Sequence, residues 1–299
     1  MKKILILCIV LSMTVCGYSS GFSSLKLGAD ARSGGLGMAY TALSNDGSGG
    51  FWNPAGLVTA PRHDMVLSIY RWIQGTRTEF LGFGSGNGRN GFGIYIFHTQ
   101  VTDLEYRLDV PTNDPLGTFS DHEMVLGLSW AREIRKNIML GITLKGLYQK
   151  IFTDEATGLA VDIGALWQVW DDGLRIGAVV QNIGRTSKLQ EMSIKLPLMW
   201  KAGLAYPVKA AGGIWTFTAD GLKERDFPFR FHSGMEYLWG GMIAGRIGYQ
   251  AGYAVDGIKT RDITAGLGIL WSGYRLDYSY MPFYSDLGDV HRLSLSFQW

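Results

Sequence analysis

The stretch Val290-His291-Arg292-Leu293-Ser294-Leu295-Ser296-Phe297-Gln298-Trp299 alternates without a break from Arg292 onward. Leu293, Leu295, Phe297 and Trp299 share one face; Arg292, Ser294, Ser296 and Gln298 share the other. A period of two marks a β-strand whose faces meet different surroundings. Upstream, Tyr274, Leu276, Tyr278 and Tyr280 oppose Arg275, Asp277 and Ser279. Further back, Leu174, Ile176, Ala178 and Val180 oppose Arg175, Gly177 and Gln181, and Ile138, Leu140, Ile142 and Leu144 oppose Thr143, Lys145 and Gln149. Working outward on this pattern, we read about fourteen strands after His63. They fall near 64–73, 76–84, 91–100, 122–132, 138–151, 159–169, 173–182, 197–207, 213–222, 230–239, 241–251, 262–272, 273–281 and 290–299.

A soluble sandwich and a membrane barrel share this period. Three features favour the barrel. The polar faces mix glycines with charges of both signs, which suits a barrel interior. Links after even-numbered strands are mostly tight (Glu133 to Asn137, Trp170 to Gly173, Gly240, Ser272-Gly273), and links after odd-numbered strands are mostly long (Val101 to Asp121, Ile183 to Leu196, Lys223 to Phe229, Gly252 to Arg261, Pro282 to Asp289). Short turns at one rim and long loops at the other fit an outer-membrane barrel. Two links depart from this: the outer one at Gln74-Gly75 is short, and the inner one at Pro207 to Gly213 is longish. Finally, Trp72, Trp130, Trp167, Trp170, Trp200, Trp215, Trp239, Trp271 and Trp299 all stand near strand ends, where rings would form two interfacial girdles. The expected fold is all-β, a transmembrane antiparallel barrel with a short helical segment ahead of it. No run is long and apolar enough for a membrane helix.

The chain opens with Lys2 and Lys3, an apolar run from Ile4 to Val15, and small residues at Gly17, Ser19 and Ser20. That order predicts a cleaved secretory signal over 1–20, with cleavage after Gly17 or Ser19. Cys8 and Cys16 both lie inside it, so the mature chain would have no cysteine, disulfide or thiolate. Losing the two lysines leaves 26 basic residues against the 26 acidic ones. Near neutrality points away from a nucleic-acid partner. The expected location is the bacterial outer membrane, with outer-membrane lipid as one partner. The alternating strand that ends at Trp299 resembles the terminal signal read by the outer-membrane assembly machinery.

Residues 21–61 do not alternate. The part from Gly28 to Leu57 reads GADARSGGLGMAYTALSNDGSGGFWNPAGL. Ala31 to Leu43 is short of β-branched residues and is read as a small helix. Asn53-Pro54-Ala55-Gly56 is read as a second, because Asn caps a helix start and Pro suits its first position. The expected division is a hatch over 21–61 and a barrel over 62–299.

Motifs for chemistry are sparse. Gly86-Asn87-Gly88-Arg89-Asn90-Gly91 matches G-x-G-x-x-G, but a strand follows instead of a helix, so a tight turn is expected. His63, His98, His122, His232 and His291 show no metal-ligand spacing. No serine is marked as a nucleophile. Neither an enzyme nor a cofactor is expected. The candidate lumen residues, taken from the polar faces, are Lys145, Asp162, Arg175, Gln181, Lys201, Asp220, Glu236, Arg246 and Asp277. Mixed signs predict pairing across a wet interior.

The segment before the barrel resembles the PorV/PorQ family of FadL-like outer-membrane proteins. The matching residues are Gly28, Ala29, Arg32, Gly35, Gly37, Ala39, Tyr40, Ala42, Asp46, Trp52, Asn53, Pro54, Ala55, Gly56 and Leu57. Leu276 to Tyr280 and His291 to Phe297 look like that family's last hairpin. The chain departs at Met38, where the family often has another glycine. The resemblance implies a fourteen-stranded barrel with the N-terminal segment folded into the lumen as a hatch. It implies either a plugged channel for hydrophobic small molecules or an accessory component of a type IX-like secretion system, with hydrophobic ligands or secretion proteins as partners. A closed structural barrel is the third expectation.

Overall fold

A computed structural model describes residues 21–107, 113–171, 173–189, 192–255, 258–259, 262–284 and 288–299. The predicted signal segment, 1–20, lies outside the described residues. Fourteen antiparallel strands close into a barrel. They are β1 (Asp64–Arg71), β2 (Arg77–Gly86), β3 (Asn90–Tyr106), β4 (Gly117–Arg135), β5 (Ile138–Ile151), β6 (Asp154–Gln168), β7 (Arg175–Thr186), β8 (Met199–Ala210), β9 (Gly213–Glu224), β10 (Arg230–Trp239), β11 (Ile243–Ala251), β12 (Ile263–Trp271), β13 (Tyr274–Pro282) and β14 (Asp289–Gln298). Closure is made by β1 on β14, from Asp64 opposite Gln298 to Arg71 opposite His291. Closure matters because an unpaired edge cannot face lipid.

Alternation sets which way each side chain points. On β1, Val66, Ser68 and Tyr70 are buried inside, while Met65, Leu67 and Ile69 are exposed on the outer wall. On β14, Arg292, Ser294 and Ser296 point in, and Leu293 and Leu295 point out. Exposed apolar side chains recur around the barrel, including Leu81, Ile94, Leu128, Ile142, Ile163, Leu204, Ile247 and Leu276. Such a band is stable only against hydrocarbon.

Two inner turns show why this end is tight. Ser272 (φ 48°) with Gly273 (φ 85°), and Ala211 (φ 53°) with Gly212 (φ 75°), are two-residue turns with both φ positive. That backbone twist matches the strands it joins. The second turn corrects the longish inner link expected from Pro207 to Gly213. β8 runs through Pro207 to Ala210. Proline fits there because β7 pairs with β8 only from Arg175 to Gln181, opposite Ala205 to Met199. Beyond Ala205 no β7 residue needs the missing N–H.

Three further expectations change. The long outer link from Val101 to Asp121 is largely strand: past a register shift, Leu104, Glu105 and Tyr106 pair with Phe119, Thr118 and Gly117. Stacking of Tyr106 on Phe152 supports this raised ribbon. The helix read over Ala31 to Leu43 stops at Gly35, because Gly37 and Met38 turn left-handed (φ 64° and 63°). The tryptophans do not form two equal girdles. Trp130, Trp167, Trp170, Trp239, Trp271 and Trp299 are exposed near the inner turns, and Trp200 is exposed at the outer end. Trp215, on the outward face beside an inner turn, stacks on Tyr237 (4.3 Å), while Trp72 packs edge-on against Phe283 (5.2 Å).

Leu67 lies in one row with Leu81 on β2 and Leu295 on β14. Leu67→Arg is expected to cost about 2–4 kcal/mol, and Tyr274→Arg at the inner rim about 0–1 kcal/mol. Reversible unfolding in lipid vesicles measures both.

Candidate functional site

The non-alternating segment lies inside the barrel. It comprises a 3-10 turn (Ser23–Lys26), α1 (Ala31–Gly35), α2 (Gly49–Trp52) and a second 3-10 turn (Pro54–Thr59). Each start has a chemical reason. Asp30 caps α1 by accepting from the Ser33 N–H at 2.8 Å. Asn53 accepts from the Ala55 N–H at 3.2 Å, with Pro54 in the first position. Met38, left-handed without being glycine, is held because its side chain is buried and lies where one on Gly28 would stand.

Charge fixes the segment in place. Arg32 Nε and Nη2 donate to Glu236 on β10 at 3.0 and 2.9 Å. Arg246 on β11 donates to Glu236 at 2.5 Å and to Asp277 on β13 at 2.7 Å. Arg275, also on β13, donates to Asp277 at 2.8 Å and to Asp46 at 3.4 Å. Asp46 returns to Arg32 at 3.6 Å, with the Tyr40 hydroxyl between them, accepting from Arg32 at 3.1 Å and donating to Asp46 at 2.5 Å. Arg32, Glu236, Arg246, Asp277, Arg275 and Asp46 therefore form a ring of alternating sign. The segment supplies one charge of each sign and the wall supplies four.

Hydrogen bonds fasten the rest. Asp220 Oδ2 accepts from the N–H groups of Tyr40 and Thr41, both at 2.9 Å. Asn53 Nδ2 donates to Thr41 O and to Ala165 O on β6, at 2.9 and 3.1 Å. Gln181 donates to Phe51 O at 2.7 Å, and Thr143 to Gly50 O at 2.9 Å. Lys201 sits 5.2 Å over the Trp52 ring. Phe51 packs among Phe80, Tyr95 and Phe97. Wall glycines make the approach possible: a side chain at Gly248 would collide with the Gly37 N–H, and one at Gly164 with the Asn53 carboxamide.

Of the residues singled out from sequence, Gly28, Gly35, Gly37, Ala39, Tyr40, Asp46, Trp52, Asn53, Pro54, Ala55 and Gly56 are all buried in this plug, with Arg32 partly so. Glu236, Arg246, Asp277, Asp220, Gln181 and Lys201 meet it directly or through the ring. Lys145 and Asp162 instead pair with each other at 2.6 Å, beside Asn182. Arg175 is half-buried near the inner rim. The expected pairing across a wet interior is replaced by pairing along the wall and onto the plug. Arg275 was not singled out, although it shares a face with Asp277 two residues on. Thr143 and Ser129, which hydrogen-bond each other under Gly50, gave no signal beyond lying on a polar face.

Above the plug is a cavity of about 340 Å³, open at the outer mouth. Its floor is Ser23 to Leu27, and its walls include Trp72, Gln100, Glu123, Phe227, Arg230 and Tyr253. Glu224 pairs with Lys26 at 2.6 Å and with Arg230 at 3.4 Å, and both cations lie over the Phe227 ring. Glu123 accepts from Ser24 N–H and Gln149. The mouth thus combines a paired cation cluster, the hydrogen-bonded carboxylates of Asp121 and Glu123, and the rings of Trp72, Phe227 and Tyr253. Among the described residues no cluster of His, Cys, Asp or Glu could hold a metal ion.

Replacing one ring member strands its partner. Arg32→Met and Glu236→Met are each expected to destabilise the plugged barrel by about 3–5 kcal/mol, and the double variant by much less than their sum. Equilibrium unfolding of the four proteins measures the coupling.

A model of an uncharacterised protein family (UPF0164) matches residues 15–114, the plug and first strands. No curated protein sequence matches the chain. Among solved structures, the CymD monoaromatic hydrocarbon channel aligns with TM-score 0.61 at 12% identity, over 91% of this chain and 98% of that one. The toluene transporter TodX of Pseudomonas putida gives 0.61 at 11%, over 91% and 98%. A FadL homologue of Pseudomonas aeruginosa gives 0.57 at 12%, over 90% and 98%. The chain thus has the fold of the FadL-like outer-membrane channels.

Proposed function

We propose that this protein is a plugged outer-membrane channel that admits small hydrophobic molecules. One observation carries the reading: the aromatic-walled outer cavity ends on the first turn of the plug, so an entering molecule meets the gate directly. The similarity to hydrocarbon channels supports it at the level of fold. Trp72, Phe227 and Tyr253 give the mouth aromatic surface that a small apolar molecule can pack against. The secretion-accessory role implied by the PorV/PorQ resemblance stands second. The outer links are long only by comparison with the inner turns, running from 2 to 21 residues, and give a protein partner little to grip.

Toluene is the probe. In lipid nanodiscs, saturation-transfer NMR is expected to show saturable transfer from the protein to toluene, and Trp72→Ala with Phe227→Ala is expected to lower it about tenfold. Transfer that never saturates, or that the double variant leaves unchanged, contradicts the reading.

A further inference from the structure

The barrel wall opens at the outer end of the seam between β7 and β8. β7 stays paired with β6 out to Thr186, but its pairing with β8 ends at Gln181 opposite Met199. The cause is a bulge at Asn182 (φ 65°), where the register slips so that Val161 faces Ile183 and Ile163 faces Val180. Buried charge holds the bulge. Asp162 accepts from the Asn182 N–H at 2.8 Å, and Lys145 donates to Asn182 Oδ1 at 2.8 Å while pairing with Asp162. Across the seam, side chains tie the chain leading into β8 below a short outer ribbon in which Lys188 and Leu189 pair with Ser193 and Met192. Asn182 donates to Pro197 O at 2.8 Å, and Thr186 to Ile194 O at 2.9 Å.

Between these two edges lies a cavity of about 370 Å³, separate from the mouth above the plug. Among the described residues its charged lining is Arg185, Lys195 and Arg225, without a carboxylate. Among the described residues neither Arg185 nor Arg225 has an ion pair, whereas Arg230 nearby is paired with Glu224. The rest of the lining is largely apolar, with Ile183, Ile194, Leu196 and Leu198. Height is set by Trp200, exposed on the outer wall one step inside the last rung, opposite Val180. Interfacial tryptophan marks the headgroup level. Ile183, beside the opening, is exposed toward lipid.

We propose that this cleft binds the phosphate headgroup of an anionic lipid in the outer leaflet. Guanidinium groups pair with phosphate through two parallel N–H donors each. The apolar lining receives the glycerol and the first methylenes, and the break in the wall lets the headgroup enter from the side. A free phosphate ion shares the first contact but makes no use of the apolar lining.

The full-length protein, purified in a maltoside detergent, is titrated by calorimetry with three probes: dihexanoyl phosphatidylglycerol, its phosphatidylcholine analogue and inorganic phosphate. The anionic lipid is expected to bind about tenfold more tightly than the other two. That preference is expected to vanish in Arg185→Gln with Arg225→Gln and to persist in Lys136→Gln, a control at the opposite rim. Equal binding of the two lipids by the unaltered protein overturns the proposal without any variant. A preference that survives the double substitution overturns it as well. Inorganic phosphate binding as tightly as the anionic lipid overturns the lipid assignment in favour of a free-phosphate site.

Discussion

Six charges have to be neutralised inside a protein whose outer face is in hydrocarbon. Arg246, Arg275, Glu236 and Asp277 cannot turn outward, since strand alternation points them into the lumen. Space inside is filled by protein, so they need ionic partners. Arg32 and Asp46 complete the ring from the plug. A buried pair adds little net stability over an apolar one, but it penalises every arrangement that leaves one member alone. The ring therefore orients the plug. Sliding it along the barrel, or turning it, would break two bridges at once.

Everything near the ring is consistent with close docking. Glycines on β11 and β6 let the backbone of the plug approach the wall. Asp220 and Asn53 take up N–H and C=O groups that would otherwise be buried without partners. The aromatic nest around Phe51 supplies apolar contact on the side of the barrel facing β2 and β3. The plug is therefore held by polar contacts on one side and apolar contacts on the other. A molecule arriving from the outer cavity meets Ser23 to Leu27 first, five to nine residues ahead of Arg32.

The barrel was legible in the sequence because its period of two is enforced by two different solvents, lipid outside and packed protein inside. Leu293, Leu295 and Arg292 show this in one strand. Pro207 misled because sequence does not show that β7 ends before reaching it. The extension from Val101 to Tyr106 was hidden because a ribbon above the membrane has no lipid face to enforce alternation. The ring was half legible. Glu236, Arg246 and Asp277 stood out as charges on inward faces, but register alone places them beside one another, and register was not readable. Arg275 shows the same limit. A further contrast is Lys145 with Asp162, which read as lumen charges and instead support the bulge in β7.

The central claim is that residues 28–57 seal an otherwise open barrel. Single-channel recording in planar bilayers tests it, comparing the intact protein with one in which those residues are replaced by a short Gly-Ser linker. The intact protein should hold near the baseline. The excised form should show a large, steady ionic conductance while keeping the heat-modifiable gel migration of a folded barrel. A folded, excised barrel with the same flat trace as the intact protein would contradict the account.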